Sequence, residues 1–305
     1  MARALGIASE SEILRANPRM TAKYGSYFYE VAREGGQTTY SVTDGHETLR
    51  VTLPWAFGQG SAGQTWLFQL EGRWYESRVS YYSELRGLDL TMGMQDIAVH
   101  NLREAAGRLL GRSDTADCFA CHATNAVKDH ELSLPSLVPG VQCDRCHGSS
   151  ERHLAGVSSG SLLNSRMHKL SELSTDQLSD ACGKCHRSWS EIAANGPRGV
   201  LNVRFQPYRL TLSRCYDAED RRIRCTACHD PHRGLETNAR SYDLKCRACH
   251  SRNASPATKA SAHLCPVGTE ACVTCHMPKV ELPGSHKSFA DHRIRIVKAG
   301  EGYPD

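Results

Sequence analysis

The chain has 305 residues, enough for one large domain or two ordinary ones, and 40% of them are hydrophobic. Only 7% are Phe, Trp or Tyr, so an interior built from protein alone is thin, and no run approaches the roughly 18 apolar residues of a membrane span. The formal charge is +4, and the 14 cysteines call for disulfides, metal or redox chemistry.

Ser9 and Glu12 form a capping-box pattern that predicts a short helix stopping before Pro18. Strand-like runs follow at 24–33, 37–43, 47–53, 64–70 and 73–82. Gly35-Gly36, Asp44-Gly45 and Glu71-Gly72 separate them as turns, which predicts an antiparallel meander of about five strands. Gly58-x-Gly60-x-x-Gly63 matches a dinucleotide-binding pattern, but a strand-like run follows instead of a helix, so it reads as a turn or bulge. Residues 96–110 fit an amphipathic helix, with Ile97, Leu102, Ala105, Ala106 and Leu109 near one face and Gly111 as its stop. Beyond residue 118 the periodicity dissolves, apart from a short helix over 176–186. The expected fold is α+β with little regular structure. A β-rich unit over 1–95 precedes a domain of short helices and long loops over 96–305.

Twelve of the cysteines stand in six Cys-x-x-Cys pairs, each followed at once by His. The pairs are Cys118 and Cys121, Cys143 and Cys146, Cys182 and Cys185, Cys225 and Cys228, Cys246 and Cys249, and Cys272 and Cys275. The histidines are His122, His147, His186, His229, His250 and His276. This is the attachment signature of c-type haem: two thiols add to the porphyrin vinyl groups and the His ligates the iron. Zinc ribbons also use Cys-x-x-Cys but need no adjoining His, and six chance coincidences have a probability of roughly 10⁻⁸. A thioredoxin-like motif needs a βαβ setting that is absent here. The expectation is six covalent haems, packed closely enough to supply the apolar interior.

Haem propionates change the charge. Six ferric haems add roughly −6 and six ferrous haems roughly −12, which leaves no case for nucleic acid binding. Arg outnumbers Lys 28 to 9, and its planar fork suits carboxylates such as propionates; compositional bias of the genome explains the excess equally well.

Six irons need up to six distal ligands, and nine His lie outside the motifs. His153 follows His147 by six residues, His232 stands in Cys-His-Asp-Pro-His, and His286 and His292 lie beyond the last motif, so these four lead as distal candidates. His130, His168 and His263, between motifs, come next; His46 reads as exposed and His100 as structural. No Met stands in a recognisable ligand context. Cys215 and Cys265 are left over, either as a disulfide, as buried free thiols or as an intermolecular link.

On these residues the chain resembles a family of bacterial multihaem cytochromes c. The segment from Gly140-Val141-Gln142-Cys143 to His153 is similar to the family's Cys-x-x-Cys-His-Gly with a ligand His after it. Residues 225–233 resemble its Cys-His-Asp-Pro-His segment, and 272–294 its Cys-His-Met-Pro-Lys segment with a downstream Asp-His-Arg-Ile. The resemblance implies electron transfer, export and mostly bis-His haems. The N-terminal meander resembles a non-haem insert of some members, where a further haem motif often precedes a segment like Met1-Ala2-Arg3; this chain starts after that point. Residues 1–20 have no apolar h-region, so a mature or truncated sequence is expected.

The reading is an exported electron-transfer protein, periplasmic or extracellular. Its expected partners are other redox proteins, cytochromes among them, or further copies of itself in an oligomer or filament, or a respiratory complex. The rival is an oxidoreductase acting on a small nitrogen or sulfur compound at one open-coordinate haem. Pentahaem nitrite reductases mark their active haem with Lys in place of the motif His, and all six motifs here keep His.

Overall fold

A computed structural model describes residues 1–161, 167–250, 265–298 and 300–304. Packing divides the chain into two units. The first takes Met1–His168 with Pro283–Lys287, and the second Lys169–Leu282 with Ser288–Asp305. The fold is α+β, with short helices and antiparallel sheets.

In the first unit eleven strands precede the first motif: β1 (Leu5–Ile7), β2 (Arg19–Tyr24), β3 (Tyr27–Glu34), β4 (Gln37–Thr43), β5 (Thr48–Thr52), β6 (Trp55–Phe57), β7 (Gly63–Leu70), β8 (Arg73–Ser77), β9 (Val79–Tyr82), β10 (Gly87–Leu90) and β11 (Gly107–Leu109). Strands β2 to β5 form a four-stranded meander. A seven-stranded sheet runs β1-β6-β7-β8-β11, with β9 also pairing β7 and β10 pairing β9. Alternation along β4 puts Thr38, Tyr40 and Val42 on the buried face. There they meet Trp66 and Phe68 of β7 and Tyr75 of β8, in a core where Phe68 stacks on Tyr75 at 5.5 Å.

The expected meander of about five strands is therefore too few by half, for identifiable reasons. The 24–33 run contains a hairpin: Gly25 takes φ 59°, and Tyr24 pairs with Tyr27 across it. The 73–82 run breaks at Arg78, whose N–H donates to Ala106 O and whose own carbonyl accepts from Thr91 N, so its backbone bonds leave the β7–β8 ladder. The glycine pattern at 58–63 is a turn between β6 and β7, with φ of 89° at Gly58 and 81° at Gly60.

The helices are also shorter than expected. Helix α1 (Glu12–Ala16) is capped by Ser11, not Ser9, because 8–10 form a 3-10 turn. In place of a helix over 96–110 there is α2 (Leu102–Ala106) alone. Asn101 caps it, its side chain accepting from Glu104 N at 3.0 Å. It ends where Gly107, at φ 155°, turns the chain into β11 against β8. His100, expected within the helix, lies exposed before it. Helix α3 (Arg112–His122) then carries the first motif. The remaining helices of this unit are α4 (Asp144–His147) and α5 (Ser150–Ser158).

The second unit holds α6 (Thr175–His186), α7 (Trp189–Asn195), α8 (Gln206–Thr211), α9 (Cys225–Cys228), α10 (Asp243–Arg247) and α11 (Cys272–His276). Helix α6 matches the expected 176–186, and a Ser174–Gln177 capping box opens it. The apolar cluster here is small: Ile192, Phe205 and Tyr208 are buried, with Ala193 and Leu212 against them.

Gly107 supplies a test of the sheet junction. A Cβ there would stand 2.0 Å from Glu76 O, at a backbone angle that L-residues avoid. Gly107→Ala is expected to destabilise the chain by about 2 kcal/mol or more, read from urea unfolding of the purified protein.

Candidate haem attachment sites

Residues three and four apart lie on one face of a helical turn, so a Cys-x-x-Cys-His run needs only one turn to present both thiols together. All six motifs take that form. The first closes α3, the second is α4 with Cys143 at its N-cap, and the third closes α6. The fourth is α9 with His229 as C-cap, and the sixth is α11. The fifth overruns α10, but His250 N still donates to Cys246 O at 2.9 Å and keeps the turn. None of the motif thiols is in a disulfide.

In the first unit, α3 packs on the seven-stranded sheet. Phe119 lies edge-on to Phe57 and Trp74, and the His122 ring is 5.4 Å from Phe57. His122 Nδ1 lies 3.0 Å from Ala4 O. A carbonyl only accepts, so Nδ1 carries the proton and Nε2 keeps its lone pair. His147 repeats this with His168 O at 2.8 Å, and in the second unit His276 does so with Arg295 O at 2.9 Å. Metal-ligating histidines are oriented in this way. Burial pushes the Cys118 thiol up to about 11.

In the second unit the motifs meet one another. The Cys182 thiol donates a hydrogen bond that lowers the pKa of Cys225. The Cys246 and Cys272 thiols interact similarly, although burial still raises Cys246. The His229 and His292 ring centres are 6.2 Å apart. Burial, then the neighbouring His186, lowers the pKa of His229. His292 is pushed down to about 4, chiefly by burial, with His229 and His186 adding to the effect. Its Nδ1 lies 3.0 Å from Ala290 O.

The other candidate distal residues are scattered. His153 lies on α5. His168 packs against the second motif itself: its N–H donates to His147 O, and its ring crowds Gly148. His130 is exposed at a hairpin tip between Val127–Lys128 and Glu131–Leu132, with φ 65°. His232 is exposed, with Nδ1 3.3 Å from Asp230. His286 Nε2 lies 2.6 Å from Asp89 Oδ2, and the ring meets Tyr82 edge-on. His46 is exposed, as expected, and His263 lies outside the described residues. Cys215 is half-buried near Cys249 and Cys228, Cys265 is exposed, and both are free thiols here.

Among the described residues no three His, Cys, Asp or Glu side chains gather as a protein metal cage would. The family profile described as cytochrome c554 and c-prime matches residues 93–148, which contain the first two motifs. The chain is similar to multihaem cytochromes c. Over 155 residues it is 24% identical to the multiheme cytochrome MtrA of Shewanella baltica (strain OS185), covering 50% of this chain and 40% of that one. Over 186 residues it is 26% identical to the dissimilatory sulfite reductase MccA of Wolinella succinogenes, covering 48% of this chain and 23% of that one. The chain thus spans less than half the length of either relative. No solved structure matches it.

The motifs were legible in the sequence, but not what holds them. Asp243, at the start of α10, accepts from Ala271 N at 2.7 Å and Cys272 N at 2.9 Å, and so caps α11 with a carboxylate from the neighbouring motif. A capping carboxylate far upstream has no local sequence signal. Asp243→Ala is expected to speed amide exchange at Ala271 and Cys272 by about five- to tenfold, measured by hydrogen–deuterium exchange, with little change in the first unit.

Proposed function

We propose that this cytochrome carries six covalent haems, one per motif, and conducts electrons between redox partners outside the cytoplasm. The observation that carries the reading is the seating of His122, His147 and His276, each with Nδ1 on a backbone carbonyl at the end of a motif turn. On this reading all attachment lies within 96–305, and 1–95 is a non-haem unit. The small apolar cluster among the described residues of the second unit supports it, because haems would fill what those side chains do not.

His292 is the best supported distal ligand. Two imidazoles bound to one metal by bonds of about 2 Å hold their ring centres about 6 Å apart, close to the 6.2 Å between His229 and His292. His292 therefore completes the fourth haem. His153 and His232 remain distal candidates for neighbouring haems. With both axial positions filled, an iron exchanges electrons without binding substrate. Haem attachment to these motifs follows export, which puts the protein in the periplasm or beyond it. Among the described residues no helix is long and apolar enough to cross a membrane. The partners are other cytochromes or further copies of this chain, within a filament or a respiratory complex.

A second reading draws on the relative named as a sulfite reductase. It needs one iron without a distal side chain. The hydrogen bond from His286 to Asp89 and the exposed position of His130 favour it, since both withhold a candidate ligand.

Intact mass is expected to exceed 33.7 kDa by about six haem masses, one per motif. A zinc protein without porphyrin would overturn the reading. If every iron is six-coordinate, low-temperature EPR of the oxidised protein shows only low-spin haem, and carbon monoxide binds poorly. One high-spin signal, with turnover of sulfite, nitrite or hydroxylamine, would establish the second reading instead. His292→Met is expected to raise the potential of one haem and leave the attached haem count unchanged, by spectropotentiometry.

A further inference from the structure

We propose that the buried Arg209–Asp291 ion pair, flanked by Arg295, positions segment 290–295 so that it serves two haem sites at once, the fourth through His292 and the sixth through the Arg295 carbonyl. The proposal rests on the haem reading above and on His292 as the fourth haem's ligand.

Both side chains of the pair are fully buried. Arg209 donates through Nε to Asp291 Oδ1 and through Nη2 to Oδ2, each at 2.9 Å. Its remaining Nη1 donates to Pro304 O at 2.9 Å, and its guanidinium stacks 4.6 Å from the Tyr303 ring centre. Arg295 Nη1 reaches Asp291 Oδ2 at 2.6 Å. Asp291 also accepts from Arg293 N, and its own N–H donates to Pro278 O, just beyond the sixth motif. Asp291 thus pins the backbone on both sides of His292, by its own N–H before it and by its carboxylate after it.

The two ends of the segment then meet different haem sites. Ser213, at the end of the chain turn after α8, donates to His292 O at 3.1 Å and accepts from Ile294 N at 2.8 Å. His292 faces the fourth motif through His229. Three residues on, Arg295 N donates to His276 O at 3.2 Å, and Arg295 O takes the proton of His276 Nδ1. That carbonyl sets the basicity of the sixth motif's proximal imidazole, as partners behind a metal-ligating His do. A bidentate fork fixes direction as well as proximity, and apolar packing of the same volume would not. Burying such a pair is a poor way to gain stability alone.

The test uses the full haem-loaded chain. Arg209→Met should keep all six haems by intact mass, because attachment depends on the motif cysteines. EPR should show loss of one low-spin signal with gain of one high-spin haem, and about one carbon monoxide bound per chain. A second haem should shift its potential upward through the weakened His276 hydrogen bond, and added imidazole should restore the first haem but not the second. Six unchanged low-spin signals and potentials in Arg209→Met would overturn the proposal, as would a shift spread over all haems. Should Arg209→Met not accumulate, Arg295→Gln decides on the same two haems: a change confined to them supports the proposal and no change overturns it. His292→Met separates the failures. If it alters one haem while the arginine variants alter none, the ligand stands and the positioning role falls.

Discussion

A helical turn of four or five residues does not hold itself. Forming the first hydrogen-bonded turn is unfavourable, and isolated helices this short are not stable in water. Four of the six motifs sit on helices of that size, α4, α9, α10 and α11. Each thiol pair is therefore presented only as well as its surroundings allow. Much of the structure around the motifs answers this need: the Asp243 carboxylate at the start of α11, the carbonyl of Ala4 behind His122, and the carbonyl of Arg295 behind His276. The two longer motif helices, α3 and α6, follow the ordinary route, with their attachment turns at the C-terminal end of a helix that packs by its own side chains.

The two units meet the need differently. In the first, two antiparallel sheets enclose a side-chain core that includes Trp66, Phe68, Tyr40 and Leu14, and the first motif rests on that ready-made surface through Phe119. In the second, buried apolar side chains are few among the described residues, and the motifs lie against one another: Cys182 beside Cys225, Cys246 beside Cys272, with Asp243 capping the turn of Cys272. First cysteines in contact imply attachment points side by side. On the proposed reading that proximity would be useful, since electron transfer favours closely spaced cofactors.

Legibility in the sequence followed the range of the interactions. Strand β4 was read to its ends, 37–43, because turn residues bound it on both sides. The hairpin at Gly25 was hidden inside a continuous β-prone run, and the break at Arg78 arises from backbone bonds to Ala106 and Thr91, which no local pattern records. Residues 96–110 carry a helical period, yet β8 recruits Gly107–Leu109 as a strand, and tertiary pairing overrides the pattern. The division at His168 was not legible either, since it is set by packing between distant segments, which no local pattern records. At the sites, the Cys and proximal His positions were explicit in the spacing. The partner of each spare His was not: Asp89 lies 197 residues from His286, and Arg209 lies 82 from Asp291.

The tail shows why a chain with a small core would bury charge. Apolar contact is non-directional, so it can press a segment against a haem without fixing its register. An axial ligand has no such latitude, because a bond of about 2 Å fails if the backbone slips by one residue. The Arg209 fork accepts one orientation of Asp291, and Asp291 is the residue before His292. Burial then keeps the imidazole neutral, with its pKa pushed down to about 4, so on the proposed reading no proton competes at neutral pH for the nitrogen that would face the iron. Direction from the ion pair and neutrality from the burial are separate contributions, and the ligand proposed for this irregular segment would need both.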